Sequence, residues 1–81
     1  MQVLTNALRV LECVVLAQPV GVSEVARQLD LPKSSVQRAL TSLEGEGWLA
    51  RDERQHGLWV QTPRLWVLAH QGKDVGVAGL A

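Results

Sequence analysis

The residues of this chain that are best suited to chemistry lie on one side of a predicted helix over residues 32–45. At about 100° per residue, with Val36 at the centre of the buried face, Leu40 and Leu43 share that side and Ala39 lies at its edge. The opposite side carries Ser34, Gln37, Arg38, Thr41 and Gly45. Glutamine can pair with adenine and arginine with guanine in bidentate fashion, and hydroxyl groups can bond bases or phosphates. This pattern favours a helix that reads the major groove of DNA. Any amphipathic helix also has a solvated polar face, so this helix alone leaves both interpretations open.

The start of this helix is suited to binding phosphate. Lys33 and the free backbone amides around Ser34 and Ser35 lie at the positive end of the helix dipole. Ser23, near the start of the preceding helix, is a further candidate for DNA contact. Residues 31–43 include two basic residues and no acidic one, whereas the whole chain has eight of each sign. We therefore expect one copy of the domain to bind DNA with modest affinity.

Two further helices must position this one. The first is predicted from a cap at Thr5 or Asn6 to Ala17, on the helical spacing of its apolar residues, and residues 18–21 break it. The second covers about residues 22–29.

The ends of the second and third helices also carry signals. Glu24 is placed to cap backward onto the residue before the second helix. Asp30 occupies the corner between the helices, where a left-handed backbone is often needed. Pro32 opens the third helix, and Gly45 and Gly47 close it. The residues that must fill the space between the two helices are all apolar: Val25, Leu29, Leu31, Val36 and Ala39.

A hairpin and a last helix follow. Residues 48–52 and 58–61 are predicted strands around a loop that ends in glycine, and Pro63 starts the last helix. The fold class is therefore mainly α with a small β-hairpin: a winged helix-turn-helix with a three-helix core, a two-stranded wing over about 48–61 and a C-terminal helix.

The hairpin carries basic residues where a wing would approach DNA. Arg51, Arg54 and His56 cluster there, and we expect them to lie along the backbone or enter the minor groove. Asp52 and Glu53 interleave with them, so a plain solvated turn is the alternative.

The three tryptophans exceed what a core of this size needs. Trp48 is expected to pack, whereas Trp59 and Trp66 are candidates for an apolar surface patch. Leu65 and Trp66 on the last helix, together with Leu8 on the first, would then form the interface of a two-fold dimer. Simple core filling is the alternative for Trp66.

The sequence resembles the IclR family of bacterial transcriptional regulators. The similarity is most specific in LPKSSVQRALTSLEGEGWLARD, and ALRVLE and TPRLWVLA also fit the N-terminal domain of that family. The resemblance covers about residues 3–72. It implies a dimeric DNA-binding protein in which a larger C-terminal domain senses a small-molecule effector, and in which the first and last helices pair two copies. The residues that it places at the DNA are Lys33, Ser34, Ser35, Gln37 and Arg38.

Three positions depart from the family pattern. Asn6 stands where a basic residue is common, Asp30 replaces the usual corner glycine, and Trp59 replaces a more polar residue. The last suggests apolar contact outside the core. The predicted boundaries are a DNA-binding domain over residues 1–72 and, over 73–81, a linker or frayed tail towards an effector domain that the chain lacks.

Other function classes find little support. No catalytic triad, paired carboxylates, metal-ligand spacing or phosphate-binding glycine loop can be assembled, so we expect no enzyme, metal or cofactor. Cys13 lies among apolar residues and is expected to be buried, which suits a reducing cytoplasm. No apolar run reaches the length of a membrane span. The remaining alternative is a winged helix for protein–protein assembly, but such a module has no need of an acid-free outer face around Gln37 and Arg38.

Overall fold

The computed structural model describes residues 2–71, which form four helices and three short strands. Their order along the chain is α1 (Gln2–Ala17), β1 (Val20–Gly21), α2 (Val22–Leu29), α3 (Lys33–Gly45), β2 (Leu49–Arg51), β3 (Leu58–Gln61) and α4 (Arg64–Gln71). The fold is mostly helical and has the winged helix-turn-helix arrangement, which confirms the predicted fold class.

Helices α1, α2 and α3 pack together around one apolar core. The side chains of Val10, Val14, Val25, Val36 and Leu40 are fully enclosed, and Cys13 is buried among the same helices, as predicted. These positions follow helical spacing within each segment, so each helix contributes one apolar stripe to a shared centre.

Helix α1 begins earlier than predicted. It starts at Gln2, so Thr5 and Asn6 lie inside the helix and neither caps it. Val3 lines a cavity against α3 but is 86% exposed, so the added turn rests on hydrogen bonds within the helix and not on packing against the core.

The corner between α2 and α3 has the left-handed residue that the sequence predicts. Asp30 adopts φ 56° and ψ 49°. The backbone amide of Leu31 donates to the carbonyl of Ala26 at 3.0 Å, and the Arg9 guanidinium donates to the carbonyl of Leu29 at 3.0 Å. Together these bonds satisfy carbonyls that the end of a helix leaves free.

The predicted cap at the start of α2 is wrong. Gly21 precedes the helix with no side-chain cap. The carboxylate of Glu24 instead accepts hydrogen bonds from Arg27 and Gln28 on the following turn. A charged donor three residues away competes well with a neutral backbone amide, and hydrogen bonding from Arg27 lowers the pKa of Glu24.

The three strands form one antiparallel sheet in the order β1-β3-β2. The sequence predicts only a break after α1 where the structure has strand β1, because two residues are too few to show a strand period. It pairs Val20 with Trp59 and Gly21 with Leu58, and the Gln18 side chain accepts a hydrogen bond from the backbone amide of Gln61 at 2.8 Å. The wing is therefore anchored to the helical core by a third strand.

The expectation that Trp59 forms an apolar surface patch with Trp66 is wrong. It is only 3% exposed and belongs to the core, where it lies between Val20 and Arg51 on the neighbouring strands. The sequence does not predict strand β1, so it does not predict that the Trp59 side chain points into the core.

Helix α4 extends from the sheet and is exposed along its whole length. The Thr62 hydroxyl accepts a hydrogen bond from the backbone amide of Arg64 and donates to the carbonyl of Gly47 at 2.6 Å. The Arg64 guanidinium lies over the half-buried ring of Trp48, 4.9 Å from its centroid. Within residues 2–71, no helix combines the length and apolar character needed to cross a membrane. The predicted tail at 73–81 lies outside the described residues.

Candidate nucleic-acid interface

Helix α3 has the two faces that its sequence predicts. Val36, Ala39, Leu40 and Leu43 are buried against α1, α2 and the sheet. The candidate DNA-contacting residues on the other side are exposed, namely Lys33, Ser34, Gln37, Arg38 and Thr41, and Ser35 is half-buried. The structure therefore brings the α3 candidates together on one surface.

Hydrogen bonding and packing already order part of this surface. The Gln37 amide nitrogen donates to the Thr41 hydroxyl at 3.4 Å, which leaves the Gln37 carbonyl oxygen for another donor. Arg38 lies on the flank that faces α1. With Ser35 and Asn6 it lines a cavity of about 200 Å³ between the two helices. Amide, hydroxyl and guanidinium groups can thus reach a ligand from neighbouring points on the same face.

The start of α3 has free backbone donors, as predicted, but at Lys33 and Ser34 and not at Ser35. Pro32 is the N-cap and supplies no side-chain cap. Its carbonyl accepts hydrogen bonds from the backbone amides of Ser35 and Val36, both at 3.1 Å. Among residues 2–71, only the amides of Lys33 and Ser34 at this end therefore lack a backbone acceptor. Two amides beside a lysine form an electropositive helix end.

Acidic residues are absent from the exposed face of α3 until Glu44, in its last turn. Glu44 is half-buried and lies towards β2, with its Oε2 atom 3.7 Å from the Nε atom of Arg51. The Arg51 guanidinium also lies over the ring of Trp59, 5.0 Å from the centroid. Arg51 is thus held by α3 and β3. Sequence reasoning grouped it with the wing loop and missed this arrangement, because the pairing of residues 51 and 59 depends on the register of the hairpin.

The wing loop presents the remaining basic residues to solvent. The Asp52 carboxylate accepts a hydrogen bond from the backbone amide of Arg54 at 3.0 Å, which stabilises the turn. The side chains of Arg54 and His56 are exposed. Within residues 2–71 these two side chains make no hydrogen bond or ion pair with α3. Ser23 is exposed on the first turn of α2.

The candidate dimer residues are also exposed. Leu8 is 57%, Leu65 41% and Trp66 64% exposed, so core filling is wrong for Trp66. Leu8 and Leu65 line one open groove of about 490 Å³ between α1 and α4. The ring of Trp66 stacks on His70 with centroids 3.9 Å apart.

Three packed helices, a left-handed corner before an exposed polar helix, and a hairpin at its end define a winged helix-turn-helix. The model of the IclR helix-turn-helix domain matches residues 3–53. The chain belongs to this family, and its fold is the DNA-binding domain of a transcriptional regulator of IclR type.

Solved structures agree with this assignment. A crystal structure of an IclR family transcriptional regulator from Brucella abortus matches with a TM-score of 0.76 at 28% identity, over 88% of this chain and 27% of that one. A protein with unknown function from Listeria innocua Clip11262 matches at 20% identity with a TM-score of 0.70, over 90% of this chain and 52% of that one, and shows the fold alone. The chain thus spans about a quarter of the IclR regulator and about half of the second protein. No curated protein matches it.

Proposed function

We propose that this chain binds double-stranded operator DNA as part of a homodimer, with α3 in the major groove and the wing on the backbone or in the minor groove. The observation that carries the proposal is the outer face of α3. Its side chains are polar or basic, exposed and free of acids, and they lie opposite a buried apolar stripe in a domain of IclR type. Gln37, Arg38, Ser34 and Thr41 meet base edges, because their amide, guanidinium and hydroxyl groups match the donors and acceptors of the major groove.

Phosphate contacts hold the helix in register. Lys33 and the two free amides at the start of α3 bind one phosphate. Ser35 and Ser23 donate hydrogen bonds to the DNA backbone nearby. Arg54 and His56 extend from the wing loop to the flanking backbone. Arg51 adds positive charge at the base of the wing.

Two copies are needed because one neutral domain binds weakly. Leu8, Leu65 and Trp66 expose apolar area on α1 and α4, and pairing two such surfaces about a two-fold axis buries it. In the full regulator a separate C-terminal domain binds a small-molecule effector, and the protein acts as a repressor or an activator. The function is non-enzymatic and is exercised on the nucleoid in the bacterial cytoplasm.

The test starts from a random library of duplex DNA, because docking geometry determines which bases are read. Selection with the purified protein should enrich two-fold symmetric sites with half-sites about 10 base pairs, or a multiple of that, apart. Arg38→Ala should then weaken binding to the selected duplex by about 1–3 kcal/mol in a gel-shift assay, while circular dichroism shows an intact fold.

Arg9→Ala is the matched control. It removes the same charge from α1, where the guanidinium bonds the carbonyl of Leu29. Equal retention of wild type and Arg38→Ala at low salt would overturn the proposal and would favour a protein–protein module instead.

A further inference from the structure

Gly45 occupies a position in α3 where glycine is unfavourable and where the protein itself does not require it. It is the last residue of the helix and is exposed. It is not among the residues with a positive φ. A Cβ atom built on it would meet no atom within 4 Å. Alanine would fit there and would favour the helix more than glycine does.

A different glycine, Gly47, terminates α3. Gly47 has φ +85°. Its backbone amide donates to the carbonyl of Glu44 at 3.0 Å, and the amide of Trp48 donates to the carbonyl of Leu43 at 2.9 Å. This pair of bonds is the Schellman motif, which needs one left-handed residue and here has it at Gly47. Gly45 is therefore not needed to terminate α3.

The phase of the helix places Gly45 in line with the DNA-facing residues. At about 100° per residue, Ser34, Arg38, Thr41 and Gly45 lie within about 60° of one another around the axis. At about 1.5 Å per residue, Thr41 lies about 10 Å from Ser34 along the axis and Gly45 about 16 Å from it. The major groove is about 12 Å wide. Where the helix axis crosses the groove, a helix that places Ser34 to Thr41 against the bases brings its last turn to the wall of the groove.

We propose that Gly45 is a close-approach site, where the sugar–phosphate backbone of the DNA lies against the bare main chain of α3. This inference rests on the proposed function and adds a positioning residue to it. Any side chain at position 45 would hold the last turn of the helix away from the groove wall and so displace Arg38 and Thr41 from the bases.

The experiment compares stability and DNA affinity in the same variants. Gly45→Ala should raise the melting temperature yet weaken binding to the selected duplex about tenfold. Gly45→Leu, which adds bulk without a hydrogen-bonding group, should weaken binding more than a hundredfold. Ser42→Ala is the control on the same helix: it also increases helix propensity, adds no bulk and should leave affinity within twofold.

Three results would contradict the inference, and only one of them also contradicts the proposed function. Gly45→Ala binding within twofold of wild type overturns the close-approach site and leaves the proposed function standing. A Gly45→Ala variant that melts below wild type shows that the glycine serves the fold, and this also overturns the inference. A wild-type protein that enriches no duplex overturns both the inference and the proposed function.

Discussion

Replacing Arg51 by alanine should lower the free energy of unfolding by about 1 kcal/mol, because Arg51 joins the base of the wing to α3. Its Nε atom lies 3.7 Å from Glu44, and the two side chains are 66% and 39% exposed. A pair exposed to this degree contributes about 0.2–1 kcal/mol. The stacking over Trp59 at 5.0 Å adds about 0.5–1 kcal/mol. For a domain of this size, with a total stability of about 4–10 kcal/mol, the loss corresponds to a melting temperature lower by about 4–8 °C.

The assay is urea unfolding followed by tryptophan fluorescence, in a cycle of Glu44→Gln, Arg51→Ala and the double variant. The coupling energy isolates the ion pair from the stacking and should be about 0.5 kcal/mol at low salt. It should shrink in molar salt because exposed charges are screened. Arg54→Ala, three residues after the end of β2 and exposed in the wing loop, is the control and should leave stability within about 0.5 kcal/mol of wild type. A coupling indistinguishable from zero at low salt, together with an Arg51→Ala variant as stable as wild type, would refute the assignment of Arg51 to this junction.

Three further predictions each concern a single residue. Asp30→Gly should raise the free energy of unfolding by about 0.5–1 kcal/mol in the same urea assay, because Asp30 holds φ 56° and glycine adopts that conformation without steric cost; a less stable variant would contradict this. Burial, reinforced by the charge of Glu24, raises the pKa of the Cys13 thiol, so a thiol reagent at neutral pH should label native protein far more slowly than protein in urea; equal rates would count against a buried Cys13. The pKa of Glu24 is lowered chiefly by its hydrogen bond from Arg27, so its stabilising contribution is complete above its ordinary pKa and is lost as pH falls through the lowered value; Glu24→Gln should flatten the acid side of a stability–pH curve, and an unchanged curve would show that this pair is immaterial.

Periodicity and backbone chemistry predicted the helical core well. The buried stripe of α3 depends only on residue spacing, and Val36, Leu40 and Leu43 are enclosed as that spacing requires. The left-handed corner at Asp30 depends only on which residues tolerate positive φ. Both are local properties, so both can be read from a single chain.

Pairings between distant residues could not be predicted in the same way. Strand β1 exists because Val20 and Gly21 meet β3, about forty residues later in the chain. Trp59 is buried because that pairing covers it, and Arg51 meets Glu44 because the hairpin register brings them together. The outer face of α3 was predicted, but the bases that it meets depend on a docking geometry that no residue spacing encodes.

Helix α4 is eight residues long, and every one of its side chains is exposed. A helix this short is marginal on its own in water, so its backbone hydrogen bonds should open independently of the core. Its amide protons should exchange with solvent far faster than those of α1 or α3. Any surface that covers Leu65 and Trp66 would slow that exchange. The exchange rates of the α4 amides therefore report whether another surface covers this helix, because the stability of so short a helix depends on packing against a partner.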